Sequence, residues 1–277
     1  MLLTHKIYCY NTKMILKYKV NELRPYISWL YFFHTWGMSG KPKEEKEKLR
    51  NEAEEMLDVM ETRYETFAVF DIFDANSDGD DLLIGDKRLP LLRQQKPRSA
   101  GAPNLCLADF VRPLASGIKD KVGAFATTID PSIEHDFKSD DYQQMMAKVL
   151  GERLAEATAE RMHEEVRKHY WGYAPDENFD PQELLKEPYQ GIRPAVGYPS
   201  MPDTSVNFLL NELIDMGQIG IHLTPTGMMQ PHASVSGLMF AHPKSQYFDL
   251  GKIGEDQLAD YAKRRGVPLN MIKKFVQ

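Results

Sequence analysis

The sequence predicts an α+β fold in a single domain. Helical periodicity across residues 141–170 gives one long helix, and an apolar, β-forming run at 67–73 is joined by a polar turn to a second apolar run at 82–84. Strand and helix signals do not alternate as βαβ units require, which sets aside a doubly wound parallel sheet. With 277 residues, 42% apolar and 27% charged, the chain can bury one core of ordinary depth and is too apolar for general disorder.

Residues 1–19 read as an N-terminal extension, starting at Met1 or at the more ordinary Met14, and residues 20–277 as the domain. The segment 26–36 (YISWLYFFHTW) concentrates aromatics and ends at GMSGK. A charged helix follows, with Leu49, Ala53, Met56, Leu57 and Met60 on one stripe. The run FAVFDIF, the turn DANSDGDD and the run LLI predict a hairpin. Two prolines mark 94–104 as a loop, and KVGAFATTID (121–130) is a strand candidate whose small residues suit close packing. In the long helix, Tyr142, Met145, Met146, Val149 and Leu150 start an apolar face that Leu154, Ala157, Met162 and Val166 continue, with Ser139 or Asp140 as N-cap. The next 33 residues, 171–203, hold six prolines and three glycines, and a loop of that length in a compact domain is usually functional. A helix at 206–217, a strand at 233–243 and a helix at 255–266 complete the chain.

Charge and composition exclude several functions. Forty acidic against 34 basic residues give a net charge of -6, which argues against a nucleic-acid binder. Cys9 and Cys106 lack the spacing of a disulfide framework or a metal site, which fits a reducing compartment. No apolar run approaches the ~20 residues of a membrane span, and the first residues lack a secretory core, so a cytoplasmic location is expected. P-loop, dinucleotide-fingerprint and nucleophile-elbow motifs are absent.

Three local patterns invite chemistry. Asp74-x-Asn76-x-Asp78-Gly79 matches the first half of a calcium loop, but Gly85 stands where the bidentate Glu is needed, so it reads as a hairpin turn. Glu160 and His163 form one E-x-x-H without a second copy, and read as a solvated helix face, as do Glu152 and Glu156 one turn apart. The segment 191–199 (GIRPAVGYP) is stiffened by two prolines and opened by two glycines. It could present backbone groups to a ligand and fork Arg193 onto a carboxylate. A rigid crossing between helices accounts for it equally well.

The stretches CLADFVRPLASGIKDKVGAFA (106–126), YWGYAPDEN (170–178), YQGIRPAVGYPSMPD (189–203) and ASVSGLMFAHPKSQYF (233–248), with the long helix and FFHTWGMSGK, resemble the S-adenosylmethionine-binding activation domain of cobalamin-dependent methionine synthase. The likeness runs from about residue 20 onward. It implies an α+β domain with a twisted antiparallel sheet flanked by long helices. It also implies a ligand groove in which Arg193 holds the S-adenosylmethionine carboxylate, Ala195 and Gly197 offer backbone groups, and Tyr247 and Phe248 lie alongside. Glu156 and Glu187 become the carboxylates near the ligand, which suits an ammonium and a sulfonium. Glu152 becomes the carboxylate that faces the cobalamin-bearing partner. Ser28 stands where the family has an Asp near the ligand's amino group, so that end loses a charge.

No catalytic or metal-binding residue is implied. The expected role is to bind S-adenosylmethionine and present its methyl for reductive remethylation of inactive cob(II)alamin. The cobalamin would lie on a separate methionine synthase chain, because no D-x-H-x-x-G occurs here, and a flavodoxin-like donor would supply the electron. The protein would be inactive alone. The alternatives are a sensor or adaptor that only binds S-adenosylmethionine, and a reactivator of another corrinoid methyltransferase.

Overall fold

The computed structural model describes residues 8–10 and 13–276. Strand β1 (Tyr8–Tyr10) pairs antiparallel with β2 (Lys13–Lys19). In β2 the buried Leu16 and Tyr18 alternate with exposed Lys17 and Lys19, as a half-buried strand requires. The sheet therefore begins before residue 20, where the sequence reading began the domain; residues 1–7, 11 and 12 of that proposed extension lie outside the described residues. A single turn, α1 (Val20–Leu23), and a 3-10 turn (Arg24–Tyr26) lead to α2 (Trp29–Thr35). Here the aromatic segment coils so that Trp29 meets Phe32 edge-on at 5.3 Å, while Leu30 and Tyr31 face outward. Helix α3 (Lys43–Glu61) buries Leu49, Ala53, Leu57 and Met60, four members of the predicted stripe.

The long strand β3 (Glu65–Asp78) turns through Gly79 and Asp80 into β4 (Asp81–Ile84), with Asp78 opposite Asp81, and β5 (Lys87–Pro90) follows. The hairpin is as expected, but residues 74–78 are strand and only two residues form the connection. Gly79 has φ +61°, the left-handed geometry such tight turns demand. The alternation of Asp74, Asn76 and Asp78 is thus strand periodicity. Asp74 accepts from Lys119 and Lys121, Asn76 donates to the carbonyls of Arg112 and Ile118, and Asp78 accepts from Arg88.

After the 94–104 loop comes β6 (Asp120–Ile129), then α4 (Asp141–Glu165). Asp140 caps α4, its carboxylate accepting from the backbone N–H of Tyr142 and Gln143. The helix ends in a π turn over Val166–Tyr170, where the Trp171 N–H reaches back five residues to the Val166 carbonyl. A short helix, α5 (Pro181–Leu184), interrupts the proline-rich stretch. Then follow α6 (Val206–Ile214), a small ladder of β7 (His222–Leu223) with β8 (Met229–Gln230), β9 (Ser234–Met239), α7 (Glu255–Arg265) and α8 (Leu269–Phe275). The last helix was not foreseen; it follows the α7 stop at Gly266, φ +66°.

The main sheet is antiparallel throughout. β3 lies at its centre, with β2 and then β4 along one side and β6 along the other, and β9 continues beyond β6. Both faces are covered. Ala68, Phe70, Phe125 and Ile129 join α3 and α4 in one core, while Val69, Val122, Ala124 and Ala126 join α6 in a second. Burial on both faces explains why β6 reads as a continuous run of small apolar residues.

Candidate functional site

Residues 192–196 lie along β9 as an added extended segment. Ile192 and Phe240 exchange backbone hydrogen bonds at 3.0 and 2.9 Å, Leu238 N–H donates to the Pro194 carbonyl at 3.1 Å, and Val196 N–H donates to the Ser236 carbonyl at 2.9 Å. The approach is close enough that a Cβ on Gly237 would sit 2.2 Å from the Pro194 oxygen. Gly191, φ +93°, meets the Phe240 oxygen and the Tyr173 hydroxyl in the same way. The prolines and glycines of this segment therefore fix a backbone path and, with it, the origin of the Arg193 side chain.

Between this segment, α4, the start of α2 and residues 247–252 opens a cleft of about 840 Å³. Ser28, Glu156, Glu187, Arg193, Ala195, Tyr247 and Phe248 all line it. Gly197 does not; its φ of +86° lets its N–H donate to the Met201 carbonyl, so it shapes the turn behind the wall. Glu152 is also outside the lining. Its side chain is one-third exposed, with a carboxylate oxygen 3.7 Å from His232 Nε2.

Arg193 is held on three sides. Its backbone N–H donates to the Tyr247 hydroxyl at 3.0 Å, one terminal nitrogen donates to the Tyr189 hydroxyl at 2.7 Å, and the other donates to Glu160 Oε2 at 2.7 Å. Burial alone would push the guanidinium down, but Glu160 and the surrounding tyrosines hold it well above its ordinary value. Glu160 is 3% exposed and His163 fully buried, so the E-x-x-H pair is an interior feature and not the solvated face the spacing suggested. The physical reason is that α4 is enclosed, by the sheet on one side and by α1, α3 and the Arg24–Tyr26 turn on the other. His163 stands edge-on to the Tyr189 ring at 5.4 Å, and Arg167 stacks over that ring at 3.7 Å while forking both ways onto Glu177 at 2.7 and 2.6 Å. Burial, then Arg167 and Arg193, depress the His163 imidazole well below its usual range.

The remaining wall carries both signs of charge and aromatic rings: Lys96, Arg98, Arg153 and Lys252 line it with Glu156, Glu187, Tyr31 and Phe248. Glu156 accepts from the half-exposed Tyr198 hydroxyl at 2.7 Å, and burial raises the Glu187 carboxyl while Arg193 opposes the rise. Glu187 has φ +55°, a strained conformation for a non-glycine residue, and it precedes a proline, which restricts it further. Ser28 sits at the N-cap of α2 without a capping hydrogen bond from its side chain. A cleft that sets the buried Arg193 guanidinium beside carboxylates and aromatic rings, with Lys96, Arg98, Arg153 and Lys252 also on its lining, fits a ligand carrying both signs of charge and an apolar body.

The family model for the vitamin B12 dependent methionine synthase activation domain matches residues 19–266. The chain belongs to that family. It is also similar to a solved structure described as the MetH reactivation domain bound to AdoHcy, with 38% identity and a TM-score of 0.89, over 98% of this chain and 91% of that one. The twisted antiparallel sheet and flanking helices expected from the sequence are those of this activation domain fold.

Three further residues of this activation domain shape the cleft and were not anticipated: Glu160, Tyr189 and Tyr198. Glu160 carried a signal, its place one turn beyond Glu156, but one helix turn cannot tell a solvated face from an enclosed one. Tyr189 and Tyr198 bracket the 191–197 segment, where turn chemistry drew attention to prolines and glycines. Among the described residues no helix is long and apolar enough to cross a membrane.

Proposed function

We propose that the chain binds S-adenosylmethionine in this cleft and presents its methyl group to a cobalamin carried by a separate methionine synthase chain, within reductive reactivation. The observation that carries the reading is the Arg193 guanidinium, held by Glu160 and Tyr189 at the floor of a cleft lined by both signs of charge, Glu156 and Glu187 among the acids and Lys96, Arg98, Arg153 and Lys252 among the bases. Arg193 would hold the ligand's carboxylate, Ala195 would offer backbone groups, and Tyr247 and Phe248 would cover the apolar body. Glu156 and Glu187 would face positive charge. When bound, S-adenosylmethionine supplies a methyl that its sulfonium already makes electrophilic, so the protein's part is to orient it and to complement its charge. No general base is called for. A flavodoxin-like donor would deliver the electron, and the cytoplasm is the compartment that fits such a partner set.

Isothermal titration calorimetry tests the reading. The wild-type chain should bind S-adenosylmethionine saturably at one site, and Arg193→Ala should weaken binding by ~1.5–3 kcal/mol, the range for one charge-assisted hydrogen bond. No saturable heat from the folded wild type, or equal affinity in the variant, would reject it.

A further inference from the structure

One wall of the cleft is built by two loops that hydrogen bonds hold side by side. The buried Gln94 donates to the Asp249 carbonyl at 2.7 Å and accepts from the Leu105 N–H at 2.9 Å, while Gln95 accepts from the Gly254 N–H and donates to Asp256 at 3.0 Å. Arg93 anchors the first loop, forking onto Asp109 and reaching Asp80. These contacts bring Lys96, Arg98 and Lys252 onto one exposed lip of the cleft. None of the three side chains has an ion pair or hydrogen bond among the described residues. Their basic neighbours do: Arg88 pairs with Asp78 and Asp81, Arg93 with Asp80 and Asp109, Arg264 with Asp260, and Lys273 with Glu255. Asp249, on the same stretch, accepts instead from the Gly251 N–H. In a chain of net charge -6, cations gathered without a counter-ion repel one another, an arrangement that suits an anionic partner.

We infer, building on the proposed function, that this basic lip receives an acidic surface of the cobalamin-carrying chain and, together with α4, fixes the orientation in which that chain docks. S-adenosylmethionine has one carboxylate, which Arg193 takes in that reading, so the cations of the lip are left for another anion. On the α4 side the charges are Glu152 and Glu156, with Arg153 as their one base, 3.9 Å from Glu152. The two sides therefore differ in sign. A partner whose facing surface carries the complementary charges gains on both sides in one orientation, and rotated by half a turn it meets like charges on both. Methyl transfer needs that constraint, because sulfur, methyl and cobalt must come into line, and a partner docked the wrong way round cannot bring them there.

The test uses the whole chain and a cobalamin-loaded methionine synthase chain that lacks an activation domain, with S-adenosylmethionine saturating and docking read by biolayer interferometry from about 0.02 to 0.3 M salt. Wild type should dock less tightly as salt rises. Lys96→Glu, Arg98→Glu and Lys252→Glu combined should weaken docking about tenfold or more at the lowest salt and flatten the salt dependence, and Lys96→Gln, Arg98→Gln and Lys252→Gln combined should fall between the two. All three positions are exposed, so both variants should fold as wild type does, which a thermal melt checks. Equal docking by all three proteins overturns the inference. So does a charge-reversed chain that loses S-adenosylmethionine affinity yet docks normally once saturated, because the cations would then belong to the ligand site. A loss confined to an acidic flavodoxin, tested in the same way, also overturns it by giving the lip to the electron donor. If wild type does not dock the cobalamin-loaded chain at any salt concentration, the in-trans reading itself fails and takes the docking lip with it.

Discussion

A neutral histidine between two guanidinium groups makes stability depend on pH. His163 is fully buried, its Nε2 lies 3.4 Å from the Tyr173 hydroxyl, and its Nδ1 has no partner among the described residues. Burial first, then Arg167 and Arg193, hold its pKa below the ordinary value, so the folded state excludes a proton that the unfolded chain accepts near pH 6.5. The unfolded state then binds more protons below that pH. Stability is therefore fully present above about pH 6.5 and falls as the pH drops, by up to about 1.4 kcal/mol per unit for this one group. His163→Gln removes the titration while keeping a polar side chain, and its melting temperature should decline less steeply than wild type between pH 7 and 5.5. Identical slopes would mean that another group governs the acid limb.

At the scale of elements, the cleft exists because residues 192–196 are laid against β9, and that contact has no spare room. Gly237→Ala would put a methyl 2.2 Å from the Pro194 oxygen and 2.9 Å from the Ala195 Cα, both backbone-fixed atoms. Strand and segment must then part, which strains the Leu238 to Pro194 and Val196 to Ser236 hydrogen bonds. Overpacking of this kind costs ~1–3 kcal/mol of stability, and it moves the backbone that carries Arg193. Thermal melting should show the loss, and S-adenosylmethionine titration should show weaker binding in protein that is still folded; an alanine variant that melts and binds like wild type would remove the constraint. The sequence made this segment legible through its prolines and glycines, but Gly237 lay in what read only as a strand candidate. Its partner was non-local. The same limit applies to Glu160 and His163: helical spacing places residues on a common side, and only the packed molecule decides what covers that side. Local signals did recover the α3 stripe, the β3–β4 hairpin, β6, and the Asp140 cap of α4, because each depends on neighbours in sequence. They did not recover β2, whose strand character depends on pairing with Phe70 through Glu65, about fifty residues away.

For the molecule as a whole, the proposed function would have α4 separate ligand binding from partner contact. Glu156 and Glu160 line the cleft, whereas Glu152, one turn earlier, lies outside the lining and stays one-third exposed. Exposed Leu30 and Tyr31 stand on α2, with Tyr31 reaching the cleft wall, so apolar surface and charge occur together on this side of the domain. In the proposed reaction a corrinoid protein must approach the open cleft closely enough for a methyl to pass, and a carboxylate on that approach would sit in the interface. Reversing it tests the geometry. Glu152→Lys should cost little stability, since a half-exposed pair with His232 contributes only about 0–1 kcal/mol. Affinity for S-adenosylmethionine should stay within about twofold, while the rate of reactivating a cobalamin-loaded methionine synthase chain, with reductant present, should fall by about tenfold or more, because in the proposed docking Glu152 would meet a positive group of the partner, which the lysine would repel. The measurement is the recovery of methylcobalamin absorbance on the partner chain. A rate equal to wild type would move the docking face away from this part of α4, and a matching loss of ligand affinity would show that Glu152 belongs to the cleft after all.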